Sequence, residues 1–175
     1  MRFRFIVTTC FCTLCVLIGF GQNLPLKGRV PYPCLFNAKA SRAETNGAVW
    51  VPNTFQTAGL YEFAHKQYDY LFLTHNFGQL LGRPKIPYSQ PEILVVQNVG
   101  YGTLDRPEMH QDVTLKSMEK GFYESGVLVR NLVRIPYFGL IYIGLGGGVF
   151  CRYGAYALPT FKDNLVYKLT VTMSF

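Results

Sequence analysis

The last eleven residues, LVYKLTVTMSF (Leu165 to Phe175), alternate almost without error. Leu165, Tyr167, Leu169, Val171, Met173 and Phe175 are apolar, while Lys168, Thr170, Thr172 and Ser174 are polar, and only Val166 breaks the second set. Successive side chains of a β-strand point to opposite faces, so this pattern predicts a strand with one greasy face and one wet face. A helix would scatter the same residues around its circumference. The length matches the ~9–11 residues of a tilted membrane-spanning strand.

Upstream stretches repeat the pattern less cleanly. In FYESGVLVRNLV (122–133), Tyr123, Ser125, Val127, Val129, Asn131 and Val133 fall on one face, opposite Glu124, Gly126, Leu128, Arg130 and Leu132. EILVVQNVGYG (92–102), GLIYIGLGGGVFCRYG (139–154) and YDYLFLTHNFGQLL (68–81) read as further strands, and AVWVPN around Trp50 as a short one. Turn signals separate them: GRPKIPYSQP (82–91), LDRPEMHQD (104–112), RIP (134–136) and LPTFKDN (158–164). Pro and Gly clusters of this kind punctuate hairpins. VTLKSMEKG (113–121) suggests a helical turn closed by Gly121.

The N-terminal 21 residues form a different segment. Arg2 and Arg4 precede the apolar run IVTTCFCTLCVLIGF. A basic start, an apolar middle and small residues at the end describe a secretory signal peptide, with cleavage expected after Gly21. The alternative is an uncleaved anchor helix, although the run is short of the ~20 residues a spanning helix needs. Cleavage leaves Cys34 and Cys151, which export would permit to pair and which spacing alone leaves equally open to being free thiols. Residues 22–47 contain three prolines and look irregular.

Composition narrows the partners. The net charge is +7 with charged residues at 15%, below the ~25% of an average soluble domain. The basic residues are scattered rather than striped, so nucleic acid is not an expected partner. An exported, mostly antiparallel β chain with a lipid-compatible face on its strands suggests an outer-membrane β-barrel, because hydrocarbon offers the backbone no hydrogen-bond partner and a spanning sheet must close on itself. The expected strands number five, or six with the stretch at Trp50, whereas single-chain bacterial barrels start at about eight.

Several blocks account for that count. VPNTFQT (51–57), YDYLFLTHNFGQLL (68–81), PEILVVQNVGYGTLDRPEMHQ (91–111), MEKGFYESGVLVRNLVRI (118–135) and RYGAYALPTFKDNLVYKLTVTMSF (152–175), with VPYPCLFN (30–37) ahead of them, resemble consecutive parts of one family. It is the bacteroidete outer-membrane family of unknown function that joins a carboxypeptidase-regulatory-like β-sandwich to a large C-terminal barrel. The resemblance implies a C-terminal barrel portion at 48–175 after a periplasm-side segment at 22–47, in a chain without the regulatory-like domain. It implies no peptidase activity, since that sandwich is not catalytic. It also implies location in the outer membrane, contact with outer-membrane lipid, and recognition of the last strand by the barrel assembly machinery through Tyr167, Leu169, Val171, Met173 and the terminal Phe175. Other barrel segments or a second copy are the partners that a partial barrel would need.

No catalytic constellation, cofactor motif or metal motif stands out. Glu62 and His65 are three apart, a helical spacing that lacks a third zinc ligand. Asp105, Glu108 and His110 share one loop, which reads as a solvated hairpin rather than a calcium loop. Glu124, Arg130, Arg152 and Lys168 sit on the polar faces of expected strands and are candidate charges of a barrel lumen. The sequence therefore predicts an all-β, antiparallel barrel segment with a structural, anchoring or transport role and no enzymatic activity. Two other readings compete. One is a small helical inner-membrane protein with helices at 5–20 and 137–151. The other is a secreted soluble β-module that binds a ligand or partner.

Overall fold

A computed structural model describes residues 15–22, 34–42, 49–79, 88–104, 116–137 and 139–174. These form strands β1 (Cys15–Gln22), β2 (Phe36–Asn37), β3 (Ala40–Arg42), β4 (Phe55–Gly59), β5 (Ala64–His65), β6 (Gln67–Asn76), β7 (Glu92–Thr103), β8 (Phe122–Tyr137), β9 (Ile141–Tyr153) and β10 (Leu165–Ser174). Two 3₁₀ turns, Gly154–Tyr156 and Phe161–Asn164, lie between β9 and β10. No helix among the described residues is long and apolar enough to cross a membrane. The stretch 137–151, a helix under one reading, is instead the end of β8, a tight connection and most of β9.

Six strands make one antiparallel sheet in the order β1-β6-β7-β8-β9-β10, a meander from β6 onward. Its edges are β1 and β10, and among the described residues it does not close into a barrel. Cys15–Gln22, inside the stretch expected to be cut from an exported chain, pairs with β6 along its whole length, from Cys15 opposite Asn76 to Gln22 opposite Asp69. A chain cleaved after Gly21 would keep only Gln22 of that strand, leaving β6 as the edge. The short strand expected at Trp50 is reduced to a bridge between Val49 and Leu169, and the strand lies at 55–59. The helical turn expected at 113–121 is, where described, a turn at Met118–Gly121 closed by Gly121 at φ +79°.

β8 departs from the simple alternation twice. Between Val129 and Val133 the register to β9 shifts, with Val129 opposite Gly147 and Val133 opposite Leu145. The extra residues form a bulge. Asn131, at φ +55°, turns its amide to accept a bond from Thr172 Oγ1 at 2.6 Å. The expected turn RIP (134–136) is strand. Arg134 N–H donates to Tyr88, away from β9, so the nitrogen of Pro136, two residues on, points the same way. There β7 has already ended at Glu92 and no ladder bond is lost.

The two faces of the sheet differ sharply. One is covered by residues 34–42 and 49–65. Ala38, Phe55, Ala58 and Phe63 from this cover pack on Tyr70, Phe72, Met118 and Phe122. Trp50 lies against Leu94, Val96, Leu128 and Phe150. Phe55 is the centre of the first cluster, with its ring 5.1 Å from Phe122, 5.1 Å from Tyr70 and 5.0 Å from Phe72. Its burial contributes roughly 2–3 kcal/mol, with about 0.5–1.5 kcal/mol more for each edge-on ring pair. Gly100 and Gly102 of β7 make this packing possible: a Cβ on Gly100 would come within 2.7 Å of Phe55 Cζ, and one on Gly102 would overlap the His65 ring.

The opposite face is uncovered among the described residues and mostly apolar, with Asp69, His75 and a hydrogen-bonded group of Gln97, Ser125 and Tyr153 also on it. Val95, Tyr101, Tyr123, Val127, Val133, Ile135, Leu145, Tyr153, Leu169 and Val171 are exposed on it, as are Tyr167 at 75% and Met173 at 73%.

Candidate functional site

Beneath the cover, the inner face carries ionisable side chains. Asn98 of β7, Glu124 of β8 and Arg152 of β9 stand in one cross-strand row. Lys168 of β10 lies opposite Gly148 of β9. Glu124, Arg152 and Lys168 are 0%, 4% and 2% exposed. Charges are almost never so buried unless they are partnered, and each of these three reaches into the 34–65 segment.

Glu124 accepts four hydrogen bonds. Oε1 takes Gln56 N–H at 2.8 Å and Asn98 Nδ2 at 2.6 Å. Oε2 takes Thr57 N–H at 2.8 Å and Thr57 Oγ1 at 2.6 Å. β4 pairs in parallel with β3 at Phe55 and Gly59 with an irregularity between, and its amides at 56 and 57 bond the Glu124 carboxylate instead. A carboxylate saturated by donors in this way is held firmly. Arg152 Nη1 grips both oxygens of Glu62, at 3.0 and 3.1 Å, and Nε donates to the Tyr156 carbonyl. Its guanidinium also sits 5.2 Å from the Phe122 ring centre and 5.9 Å from that of Phe63. Lys168 Nζ donates to the Ser41 carbonyl at 3.0 Å. Ser41 Oγ in turn donates to Gln56 Oε1 at 2.8 Å, and Gln56 Nε2 donates to Val51 O and Thr54 O. Sheet and cover are thus tied at three places, Glu124 and Lys168 through one set of polar groups and Arg152 with Glu62 through a second.

Of the four charges expected in a lumen, the structure brings Glu124, Arg152 and Lys168 together under the cover. Arg130 lies further along the same face and pairs with Glu92 at 3.1 Å. Around that pair Asn76 Nδ2 donates to Glu92 at 3.1 Å, and Asn131 meets Thr172. Tyr167, Leu169, Val171 and Met173 are exposed on the outer face, as the alternation requires. Phe175 lies outside the described residues, as do Asp105, Glu108 and His110. Cys34 and Cys151 are free thiols, the first exposed and the second partly buried.

Glu62 and His65 do not converge on a common point. Glu62 serves Arg152, and His65 packs with its ring centre 6.1 Å from that of Tyr70. No group of three His, Cys, Asp or Glu side chains suited to a metal occurs among the described residues. His65 is fully buried, and neither ring nitrogen has a hydrogen-bond partner among those residues. Burial pushes its pKa down from 6.5 to about 4, against an opposing pull from Glu119.

Sequence reasoning missed Gln56, Thr57, Asn98 and the role of Glu62. The available signal was the density of hydrogen-bonding side chains around Phe55 in PNTFQT, too polar for a strand with a greasy face. Chemically the arrangement fastens a segment: its carboxylates are saturated with donors and its guanidinium is ion-paired. No protein-family model, curated protein or solved structure matches this chain.

Proposed function

We propose that this chain is the C-terminal portion of an outer-membrane β-barrel, with a structural, anchoring or transport role and no catalytic one. The observation that carries this reading is the inverted polarity of the sheet. Its buried face holds Glu124, Arg152 and Lys168, while its uncovered face holds Tyr167, Leu169, Val171 and Met173 and the apolar residues beside them. A mostly apolar face of that extent is unusual on a protein surrounded by water, and it suits outer-membrane lipid. The blocks that resemble the bacteroidete outer-membrane family support the same reading.

Closure then comes from other strands. The six strands alternate in direction, so β1 and β10 run opposite ways. A further barrel segment, or a second copy, can join β1, and can join β10 beyond the point where Val49 and Trp50 pair with Leu169, with every such pairing antiparallel. The last strand presents its alternating apolar residues to the assembly machinery.

The test is fractionation of cells that express the chain, followed by gel migration with and without heating. The expected result is recovery in the outer membrane, extraction only by detergent, and faster migration before heating. Recovery in the soluble fraction without detergent overturns the proposal and favours a secreted β-module.

A further inference from the structure

The sheet has two distinct ends. At one end β8 and β9 are joined by only residues 138–140, β10 finishes at Ser174, and the 77–91 connection joins β6 to β7. At the other end emerge the connections 104–121, 154–164 and 23–66, the last of which contains the whole cover. Transmembrane barrels keep short turns on the periplasmic side and longer loops outside; because 77–91 is longer than 154–164, the assignment of ends rests on the 138–140 turn against the long 23–66 and 104–121 connections. The cover begins and ends at the long-loop end: Leu35 and Ala64 pack on Leu104 just past β7, and Lys66 N–H donates to Thr103. Sequence resemblance put the start of this segment, through residue 47, on the periplasmic side, so the topology points the other way.

We propose that residues 34–42 and 49–65 belong to an external loop folded back into the barrel, filling part of its interior from the long-loop end and seated there by Glu124, Arg152 and Lys168. The inference rests on the barrel reading above. Its depth follows from contacts. The Trp50 ring packs on Leu94, Leu128 and Phe150 of the inner face, while its N–H donates to the Leu169 carbonyl at 2.8 Å on the outer edge of β10. Beyond that level the inner face is lined by Thr172, Asn131, Asn76, Glu92 and Arg130, with no described residue of the cover against them. The inner face is therefore divided into a part occupied by aromatic packing and a polar part around Arg130, Glu92 and Asn131. The three charges belong to the boundary between sheet and loop, which explains why they are buried on the face where a barrel would have its lumen. A loop seated in this way obstructs the part of the interior that it fills, so transport through that part requires its release.

Sidedness is read by cysteine labelling of the full chain in intact cells with a membrane-impermeant maleimide. Three reporters are used singly, each with all other cysteines changed to serine: native Cys34, Tyr61→Cys on the exposed β4–β5 connection, and Leu140→Cys on the exposed β8–β9 connection. The expected result is labelling at 34 and 61 in intact cells, and at 140 only after the outer membrane is permeabilised. The reverse pattern overturns the inference and leaves the barrel reading standing, provided that heat-modifiable migration is kept. Equal labelling of all three, or none in intact cells, together with loss of that migration, overturns both. Seating is read from Trp50, the one tryptophan of the chain. Glu124→Gln is expected to shift its emission to the red and to increase acrylamide quenching while heat-modifiable migration persists. An unchanged spectrum and quenching in that variant overturns the role given to Glu124.

Discussion

Glu124 and Phe55 show how single residues hold the cover on the sheet. Glu124 supplies acceptors to two β4 amides within the irregular stretch of the β3–β4 pairing, and Phe55 fills the centre of the aromatic cluster. Phe55→Ala opens a cavity among Tyr70, Phe72 and Phe122, and is expected to cost about 3–5 kcal/mol, measured by denaturant unfolding in detergent. His65 makes a prediction of a different kind. Its pKa is lowered from 6.5 to about 4 in the folded chain, so between those values the unfolded chain binds a proton that the folded chain refuses. Stability should therefore be greatest above pH 6.5, fall as the pH drops, and level off below about pH 4. At ~1.4 kcal/mol per pH unit the full drop is roughly 3 kcal/mol. His65→Leu should remove that slope, and unfolding curves recorded across the range check it.

At the scale of elements, β10 is the strand whose two faces are most sharply opposed. Lys168 and Thr170 are buried, while Tyr167, Leu169, Val171 and Met173 are exposed. Under the barrel reading Leu169→Arg puts a cation into lipid near the middle of the strand and is expected to cost about 2–4 kcal/mol. Detergent-micelle unfolding against wild type measures it, and an unchanged stability would mean that the exposed face does not meet lipid. Phe175→Asp is expected to impair insertion into the outer membrane, read as the fraction of chain recovered there. β1 carries a separate test. N-terminal sequencing of the mature chain distinguishes a start at Gln22, which leaves β6 as the edge, from retention of Cys15–Gln22 as a sheet strand. β8 shows where an element escapes the period-two rule. The bulge at 130–132 turns Asn131 toward Thr172 and leaves Leu132 exposed, opposite to the faces that strict alternation assigns them. Bulges have no reliable signature in periodicity; this one spans four residues of β8 against two of β9, so only 131 and 132 change face and Val133 and Ile135 return to that of Val127.

For the molecule as a whole, sheet and cover form one unit. Deleting residues 34–65 would strip packing from Tyr70, Phe72 and Phe122 and leave Glu124 and Arg152 without the partners that 56, 57 and 62 supply. The expected outcome is an aggregated chain that shows no heat-modifiable migration on a gel. What the sequence by itself determined was the set of long strands and their faces: β6 to β10 lie close to where alternation placed them, and the Tyr167-to-Met173 face is exposed as expected. Alternation is a property of the local backbone, so it survives whatever the rest of the chain does. Only the tertiary structure decided that 34–42 and 49–65 would lie over the sheet, that Glu62 would serve Arg152 rather than join His65, and that Arg130 would stand apart from the other three charges. Those outcomes depend on contacts such as Thr57 with Glu124, 67 residues apart in the chain. Such a contact depends on where the chain path brings two distant residues, and spacing along the sequence carries no record of that path.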